Sequence, residues 1–333
     1  MEFTTGGRLT VRITPADVGK RVSVRRLTGS VDGMEKFTDT VGVLTSWDDN
    51  VVLITRRTGE TVRIAESSLV AGKVVPAAPA RRRGPAASFR ELTRVAARAW
   101  RPVEREALGD WELRASGGFT RRANSVLPLG DPGMPLDEAL ARVRRWYGLR
   151  SLPAYIQTAT GAEGTQELLC TEIEARGWRR EVTAELRVGA LAPLVDGGPA
   201  AEAARVRLDR SFDEGWLRRY QRFDEPGPHV LEVLGGGPSV WFASVDGDDG
   251  VPAAIGRCVV DGRWAGFMAV EVDPARRRQG LASAVMRALA ARALEEGASA
   301  AWLQVESDNE AAGALYDGMG FATHHRYHHF RPA

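Results

Sequence analysis

The sequence predicts an α/β fold, with a mixed central sheet and flanking helices, preceded by a small all-β barrel. From residue 89 onward, short β-branched runs alternate with stretches whose apolar residues recur at helical spacing. Before residue 76 every apolar run is short, β-branched and bounded by turn residues. Two segments without an apolar period, PAAPARRRGPAAS (76–88) and DGGPAAEAA (196–204), read as linkers. They divide the chain into residues 1–75, 89–195 and 205–333.

In the first part, strands are expected at Leu9–Ile13, Val22–Leu27, Val41–Ser46, Val51–Thr55 and Thr61–Ile64, with Asp49-Asn50 and Thr58-Gly59 as turns. Five short strands in so few residues predict an SH3-like barrel, which by fold alone has no function beyond a candidate surface for a protein partner. In the second part, Ser88 and Glu91 form a capping box for a helix to about Trp100. Strands are expected at Trp111–Ala115 and Ser125–Pro128, and a helix at Leu136–Tyr147. A strand at Ala154–Thr158, a helix at Leu168–Ala175 closed by Gly177, and a strand at Val182–Val188 follow. The third part repeats this grammar. Strand Val206–Leu208 precedes helical segments around Phe212–Phe223 and Val230–Val233. Strands Val240–Val245, Ala253–Val260 and Trp264–Val272 lead to a helix at Gln279–Glu296. Strand Ala301–Val305, a helix ending at Asp317 and strand Thr323–Phe330 close the chain.

Composition narrows the class. The 333 residues are 44% hydrophobic and 26% charged, as in an ordinary globular protein. A net charge of +2 gives no strong signal for nucleic acid. No apolar stretch is long enough for a membrane helix, and the first residues lack the pattern of a secretory signal. A cytoplasmic setting is expected, with Cys170 and Cys258 as reduced core thiols.

The segment that carries chemistry is VEVDPARRRQGLA, Val270 to Ala282. A strand runs into Arg277-Arg278-Gln279-Gly280-Leu281-Ala282, and this loop opens a helix. Free N–H groups and the partial positive charge of a helix N-terminus make an anion site, and Gly280 with the small Ala282 allows close approach of a diphosphate. Downstream, WLQVESDNEAAGALYDGMGF (302–321) holds a second pattern. Ser307 and Glu310 form a capping box for a helix from near Asp308, and Asn309 and Tyr316 lie two turns apart on one face.

Together these segments resemble the GNAT superfamily of N-acetyltransferases, whose loop has the form Arg/Gln-x-x-Gly-x-Gly/Ala after a strand. Arg277, Gly280 and Ala282 match it, and Asn309, Tyr316 and Gly320-Phe321 match the family's following pattern. The resemblance implies that acetyl-CoA is the acyl donor, with its pyrophosphate on the N–H groups of Arg277, Arg278, Gln279, Gly280, Leu281 and Ala282. It implies that Val270, Glu271 and Val272 pair with the pantetheine like an added strand, that Asn309 contacts the cofactor, and that Tyr316 protonates the departing thiolate.

One position departs from the pattern. Gln304 stands where many relatives have a basic Glu, and an amide does not accept a proton at neutral pH. Glu306, two residues on, and Glu271, on the preceding strand, are the alternative catalytic carboxylates, so the base is unassigned. Four histidines crowd into Thr323–Phe330, but strand alternation sends neighbours to opposite faces, and no metal site is expected.

The middle segment has the same element order without the cofactor loop. GDWELR (109–114), TRRANSV (120–126) and Trp146-Tyr147 resemble the degenerate N-terminal half of tandem GNAT proteins. With the barrel in front, the chain looks like an actinobacterial GNAT family, some of whose members are labelled histone acetyltransferases. A cleft between the halves would place Trp111, Arg121, Asn124 and Tyr147 as binders of an amine acceptor, small molecule or protein, whose identity the sequence does not give. The alternative is a non-catalytic acyl-CoA-binding or protein-interaction module.

Overall fold

A computed structural model describes residues 10–31, 34–76, 84–196, 206–222 and 226–333. Most of the expected linker residues, and Leu9 of the first expected strand, lie outside these. The described chain groups into two compact units: residues 1–80 with 158–178, and residues 81–157 with 179–333.

The first unit is built on β1 (Arg21–Val31), β2 (Met34–Asp48), β3 (Val51–Thr55), β4 (Thr61–Ala65) and β5 (Leu69–Val74), in the spatial order β4-β3-β2-β1-β5. Alternation buries Val22, Val24, Leu44, Val52, Ile54 and Ile64 in one small core. Asp49 and Asn50 take positive φ in the β2–β3 turn, as that sequence favours. Two expectations change. Val11 makes only an isolated bridge to Gly72 rather than a strand, and β5, whose sequence LVAGKV has weak alternation, completes the sheet instead. Residues 158–178, which hold the helix α3 (Glu167–Ala175), belong to this unit rather than to the segment that surrounds them in sequence.

The second unit begins with α1 (Phe89–Ala99). Ser88 Oγ accepts from the Glu91 amide at 3.1 Å, but the Glu91 carboxylate accepts from Arg263 and Trp264 instead of closing a reciprocal box. A small sheet follows, β6 (Glu104–Leu108), β7 (Trp111–Ala115) and β8 (Leu127–Pro128), then α2 (Leu136–Gly148) and β9 (Ile156–Thr160). A parallel bridge between Val126 and Ile156 joins the β8 edge to β9. After β10 (Trp178–Ala190) and α4 (Ala192–Asp196) come β11 (Val206–Asp209), α5 (Glu214–Arg219), α6 (Pro228–Gly235) and β12 (Ser239–Val245). The chain ends with β13 (Ala254–Asp261), β14 (Trp264–Val272), α7 (Leu281–Glu295), β15 (Ala300–Glu306), α8 (Glu310–Gly318) and β16 (Ala322–Pro332).

The large sheet has the order β11-β12-β13-β14-β15-β10-β16-β9. The two sequence halves therefore exchange their last strands. β10 pairs antiparallel with β15, from Ala184 opposite Glu306 to Ala190 opposite Ala300, while β16 from the chain end lies between β10 and β9. One face of β12–β15 is covered by α7, which buries Val285 and Leu289, worth about 1.5–3 kcal/mol each. Gly256 permits this approach, since a Cβ there would lie 2.5 Å from Val285 Cγ1. The other face packs Trp100, Trp216, Trp264 and Trp302 between the sheet and α1, α5 and α6. Cys170 and Cys258 are buried, and Cys170 Sγ lies 3.1 Å from Thr158 Oγ1. Among the described residues, no helix is long and apolar enough to cross a membrane.

Candidate active site

β14 and β15 run parallel, so their C-terminal ends lie at one edge of the sheet, and α7 and α8 start there. Such an edge is where α/β sheets open a crevice. The pairing runs from Trp264 opposite Ala300 to Phe267 opposite Leu303 and stops. Met268–Val272 and Gln304–Glu306 continue without pairing to each other. A bulge drives the divergence. On the other side of β14, Ile255 faces Glu271 while Arg257 faces Met268, so β14 inserts an extra residue, and Ala269 takes φ +53°.

The loop after β14 is shaped by two further turns. Asp273 Oδ1 accepts from the Ala275 amide at 2.8 Å, and Arg219 holds the other carboxylate oxygen. Arg278 and Gly280 then adopt φ +60° and +77°, curling the loop into α7. No side chain caps this helix, so its first-turn N–H groups have no partner within the helix. Arg277, Arg278, Gln279 and Gly280 are exposed. A left-handed residue with no side chain at the N-cap, preceded by arginines, fits a diphosphate.

Asn309, rather than Ser307, caps α8. Its Oδ1 accepts from the Ala312 amide at 3.1 Å, and Ser307 Oγ instead donates to the Thr183 carbonyl. The expected capping box is absent because β15 continues to Glu306 and leaves no room for an earlier helix start. On α8, Tyr316 packs edge-on against Phe321 with ring centres 6.0 Å apart. Its hydroxyl has no hydrogen-bond partner among the described residues. Burial pushes the Tyr316 pKa up to about 12; the Glu271 carboxylate adds to this and Arg187 opposes it. The phenol is protonated at neutral pH and has a proton to donate.

The carboxylates differ. Glu271 accepts two bonds from Arg222, at 3.0 Å from Nε and 2.8 Å from Nη2, and is thus engaged as an ion pair. Glu306 is exposed at the end of β15. On β15, one residue beyond its last pairing with β14, Gln304 Oε1 is buried and has no hydrogen-bond partner among the described residues. An unsatisfied acceptor at this point fits an amide N–H donor, such as pantetheine carries.

The four expected acceptor residues are already engaged by neighbouring protein groups. Trp111 is 2% exposed and donates to the Gly130 carbonyl at 2.9 Å. Tyr147 is fully buried, and its hydroxyl donates to the Arg114 carbonyl at 2.8 Å. Asn124 uses its whole amide on the backbone: Oδ1 accepts from Ser116 and Gly118, and Nδ2 donates to Phe119 and Thr120. Arg121 pairs with Glu181 and lies 5.3 Å from the centre of the Tyr155 ring. These polar and aromatic side chains look like ligand binders in sequence, but nearby backbone takes up the hydrogen bonds of Trp111, Asn124 and Tyr147, and Glu181 takes up that of Arg121.

His325, His328 and His329 are buried on β16. Burial lowers the pKa of His325 and His328 to about 3 and that of His329 well below the usual imidazole value. Among the described residues, no three His, Cys, Asp or Glu side chains gather as a metal site. The sequence reading missed Arg187, Arg222 and the bulge at Ala269. Arg187 reaches α8 only because β10 is inserted beside β15, a pairing that no local pattern encodes.

Comparison with known proteins identifies the family and the fold. A family model described as the C-terminal region of probable histone acetyltransferase Rv0428c matches residues 86–330, and one described as the Rv0428c N-terminal Sm-like domain matches residues 16–73. The Sm-like match refines the SH3-like expectation; both are small all-β domains. The chain is 30% identical over 313 residues to the probable histone acetyltransferase Rv0428c of Mycobacterium tuberculosis, covering 92% of this chain and 93% of that one. It is 24% identical to an uncharacterized N-acetyltransferase, YobR, of Bacillus subtilis, covering 72% and 97%. A tandem GNAT protein from the clavulanic acid biosynthesis pathway has a similar fold, with TM-score 0.54 at 14% identity, over 74% of this chain and 89% of that one. The chain belongs to the Rv0428c family and is a GNAT-type N-acetyltransferase with a small all-β domain at its N-terminus.

Proposed function

We propose that the crevice between β14 and β15 binds acetyl-CoA and delivers its acetyl group directly to an amine. The observation that carries this reading is the coincidence, at one sheet edge, of a bulged open strand, an uncapped helix N-terminus and an unpartnered Tyr316 hydroxyl. Arg277, Arg278, Gln279, Gly280, Leu281 and Ala282 would hold the diphosphate through backbone N–H groups and positive potential. Val270, Glu271 and Val272 would pair with the pantetheine arm along the open edge of β14. Gln304 Oε1 would accept an N–H from that arm or from the acceptor. Asn309 would contact the cofactor through its Nδ2, since its Oδ1 caps α8.

In the reaction, acetyl-CoA supplies the activated thioester. The neutral amine attacks the carbonyl carbon, the C–N bond forms and the C–S bond breaks. Tyr316 gives its proton to the sulfur as the thiolate leaves, so that no free thiolate accumulates. The proton from the amine goes to Glu306, directly or through water. Glu271, fixed by Arg222, would act as a static negative charge that favours the approaching ammonium form rather than as the base. Holding amine and thioester together supplies much of the acceleration. The N-terminal domain is proposed as a docking surface for a protein partner, and the setting as the cytoplasm.

The test is free CoA release by the full chain from acetyl-CoA over a broad amine panel, with calorimetry of acetyl-CoA binding to Gly280→Glu. A carboxylate at that position repels the diphosphate, and a folded Gly280→Glu protein with unchanged affinity would place the donor elsewhere.

A further inference from the structure

Two buried arginines of the second unit, Arg257 and Arg114, spend their donors on carbonyls and neutral side chains. Arg257 donates from all its nitrogens, including to the carbonyls of Leu234, Ala99 and Gly236. Arg114 donates to the Ser125 carbonyl and hydroxyl and to Gln157. Arg122, half-buried, is different. Its Nε donates to the Tyr327 hydroxyl at 3.0 Å, and its guanidinium lies 5.7 Å from the Trp100 ring centre and 6.0 Å from that of Tyr327. No described group accepts from its two terminal nitrogens. A guanidinium fixed by two aromatic rings, with its terminal fork free, is the geometry that receives an oxyanion through two parallel hydrogen bonds.

Its location links it to the crevice. Burial raises the pKa of Tyr327 above its usual value, with Arg122 opposing and Glu306 reinforcing. Burial likewise raises that of Tyr220, opposed by Arg122 and Arg222 and reinforced by Glu271. Each tyrosine thus feels both Arg122 and a crevice carboxylate, and Thr183 joins the two places: its hydroxyl lies 2.9 Å from Nδ1 of His328, the neighbour of Tyr327, and its carbonyl accepts from Oγ of Ser307, the neighbour of Glu306. His329, two residues along β16 from Tyr327, has both ring nitrogens buried without a hydrogen-bond partner among the described residues. The segment bearing Arg122 is also rigid. Asn124 ties down residues 116–120, and Ser125 Oγ donates to the Arg121 carbonyl at 2.7 Å, so the fork is preorganised.

We infer that Arg122 binds an oxyanion carried by the acceptor, so that the enzyme acetylates amines bearing a carboxylate or phosphate near the amino group. This rests on the acetyltransferase reading above and adds the substrate class. The amine faces Glu306 and Glu271, while the anion faces Arg122, and the two poles orient the acceptor toward the thioester.

The experiment uses the full chain saturated with CoA. Calorimetry compares N-acetyl-L-amino acids with their primary amides, and N-acetyl-O-phosphoethanolamine with N-acetylethanolamine. Binding of products does not depend on turnover. The inference expects at least one anionic member to bind about tenfold or more tightly than its neutral partner, the scale of a charge-assisted pair. It expects Arg122→Gln to erase that difference and Arg122→Lys to keep part of it, with acetyl-CoA affinity unchanged in both. A preference confined to the carboxylate or to the phosphate pair identifies the source of the anion. Tyr327→Phe, which keeps the ring and the arginine, should weaken the preference if Arg122→Gln does not fold. Equal affinities within every pair, a preference that survives Arg122→Gln, or a loss of acetyl-CoA affinity in that variant would overturn the inference. CoA release with neutral amines or a lysine peptide would in that case leave the acetyltransferase reading standing, whereas its absence with every amine would count against that reading.

Discussion

Arg187, on the strand inserted beside β15, donates from Nη1 to Asp317 Oδ1 at 3.0 Å and also to the Gly313 carbonyl at 3.0 Å. Both acceptors belong to α8, the helix that carries Tyr316. Glu185 fixes the other side of the guanidinium at 2.9 Å and is itself held by Thr323 and Arg326. A residue from the first sequence half thus holds the helix that bears the proposed acid in the second.

Arg187→Met should therefore lower kcat about ten- to hundredfold, because misplacing a reacting group by a fraction of its contact distance has costs on that scale. Acetyl-CoA affinity should change much less, and Arg187→Lys should recover part of kcat. Steady-state kinetics with calorimetry on the same preparations checks this. Equal losses in kcat and in donor affinity would mean that Arg187 supports the whole crevice rather than α8.

The buried histidines give the protein an acid-sensitive stability. His325 and His328 have pKa values of about 3 when folded, chiefly through burial, against 6.5 when free. Between these values the unfolded chain binds more protons, so stability falls as pH drops through this window and is fully present above pH ~6.5. Each histidine contributes a slope of about 1.4 kcal/mol per pH unit within it. Thermal unfolding followed from pH 7 to pH 4.5 should show a steep fall in Tm, flatter in His328→Gln. An unchanged slope in that variant would mean that His328 titrates normally in the folded chain.

Asn124→Ala is expected to act on stability. It would leave the amides of Ser116 and Gly118 and the carbonyls of Phe119 and Thr120 without their partner, a loss of roughly 2–4 kcal/mol. Denaturant unfolding measures it directly. Normal stability with a raised acceptor KM would restore Asn124 to the acceptor site.

This residue shows where sequence reading stops. The element grammar of the second and third parts, the Gly280 loop and the Asn309–Tyr316 spacing were legible because they are local: periods, turns and a helix start. The β14 limits, Trp264–Val272, match the expectation from the pattern alone. Asn124, Trp111 and Tyr147 were misread because a polar or aromatic residue type does not reveal whether its hydrogen bonds go to a ligand or to nearby backbone. β6, with sequence EREAL, carries no apolar alternation and is a strand only because β7 pairs with it. The exchange of β10 and β16 is set by pairings over more than a hundred residues, as between Ala184 and Glu306. Arg187, Arg222 and Arg122 gain their roles from that long-range assembly, and neighbouring arginines in the sequence look the same.

The proposed mechanism depends most directly on Tyr316 as the proton donor to the departing sulfur. Its test is the rate of CoA release from acetyl-CoA with an accepted amine, comparing the natural chain with Tyr316→Phe, alongside acetyl-CoA affinity by calorimetry. Removing the hydroxyl while keeping the ring should lower turnover roughly 10²-fold with the donor bound as before. Equal turnover in the folded variant would contradict the assignment and return Tyr316 to packing against Phe321.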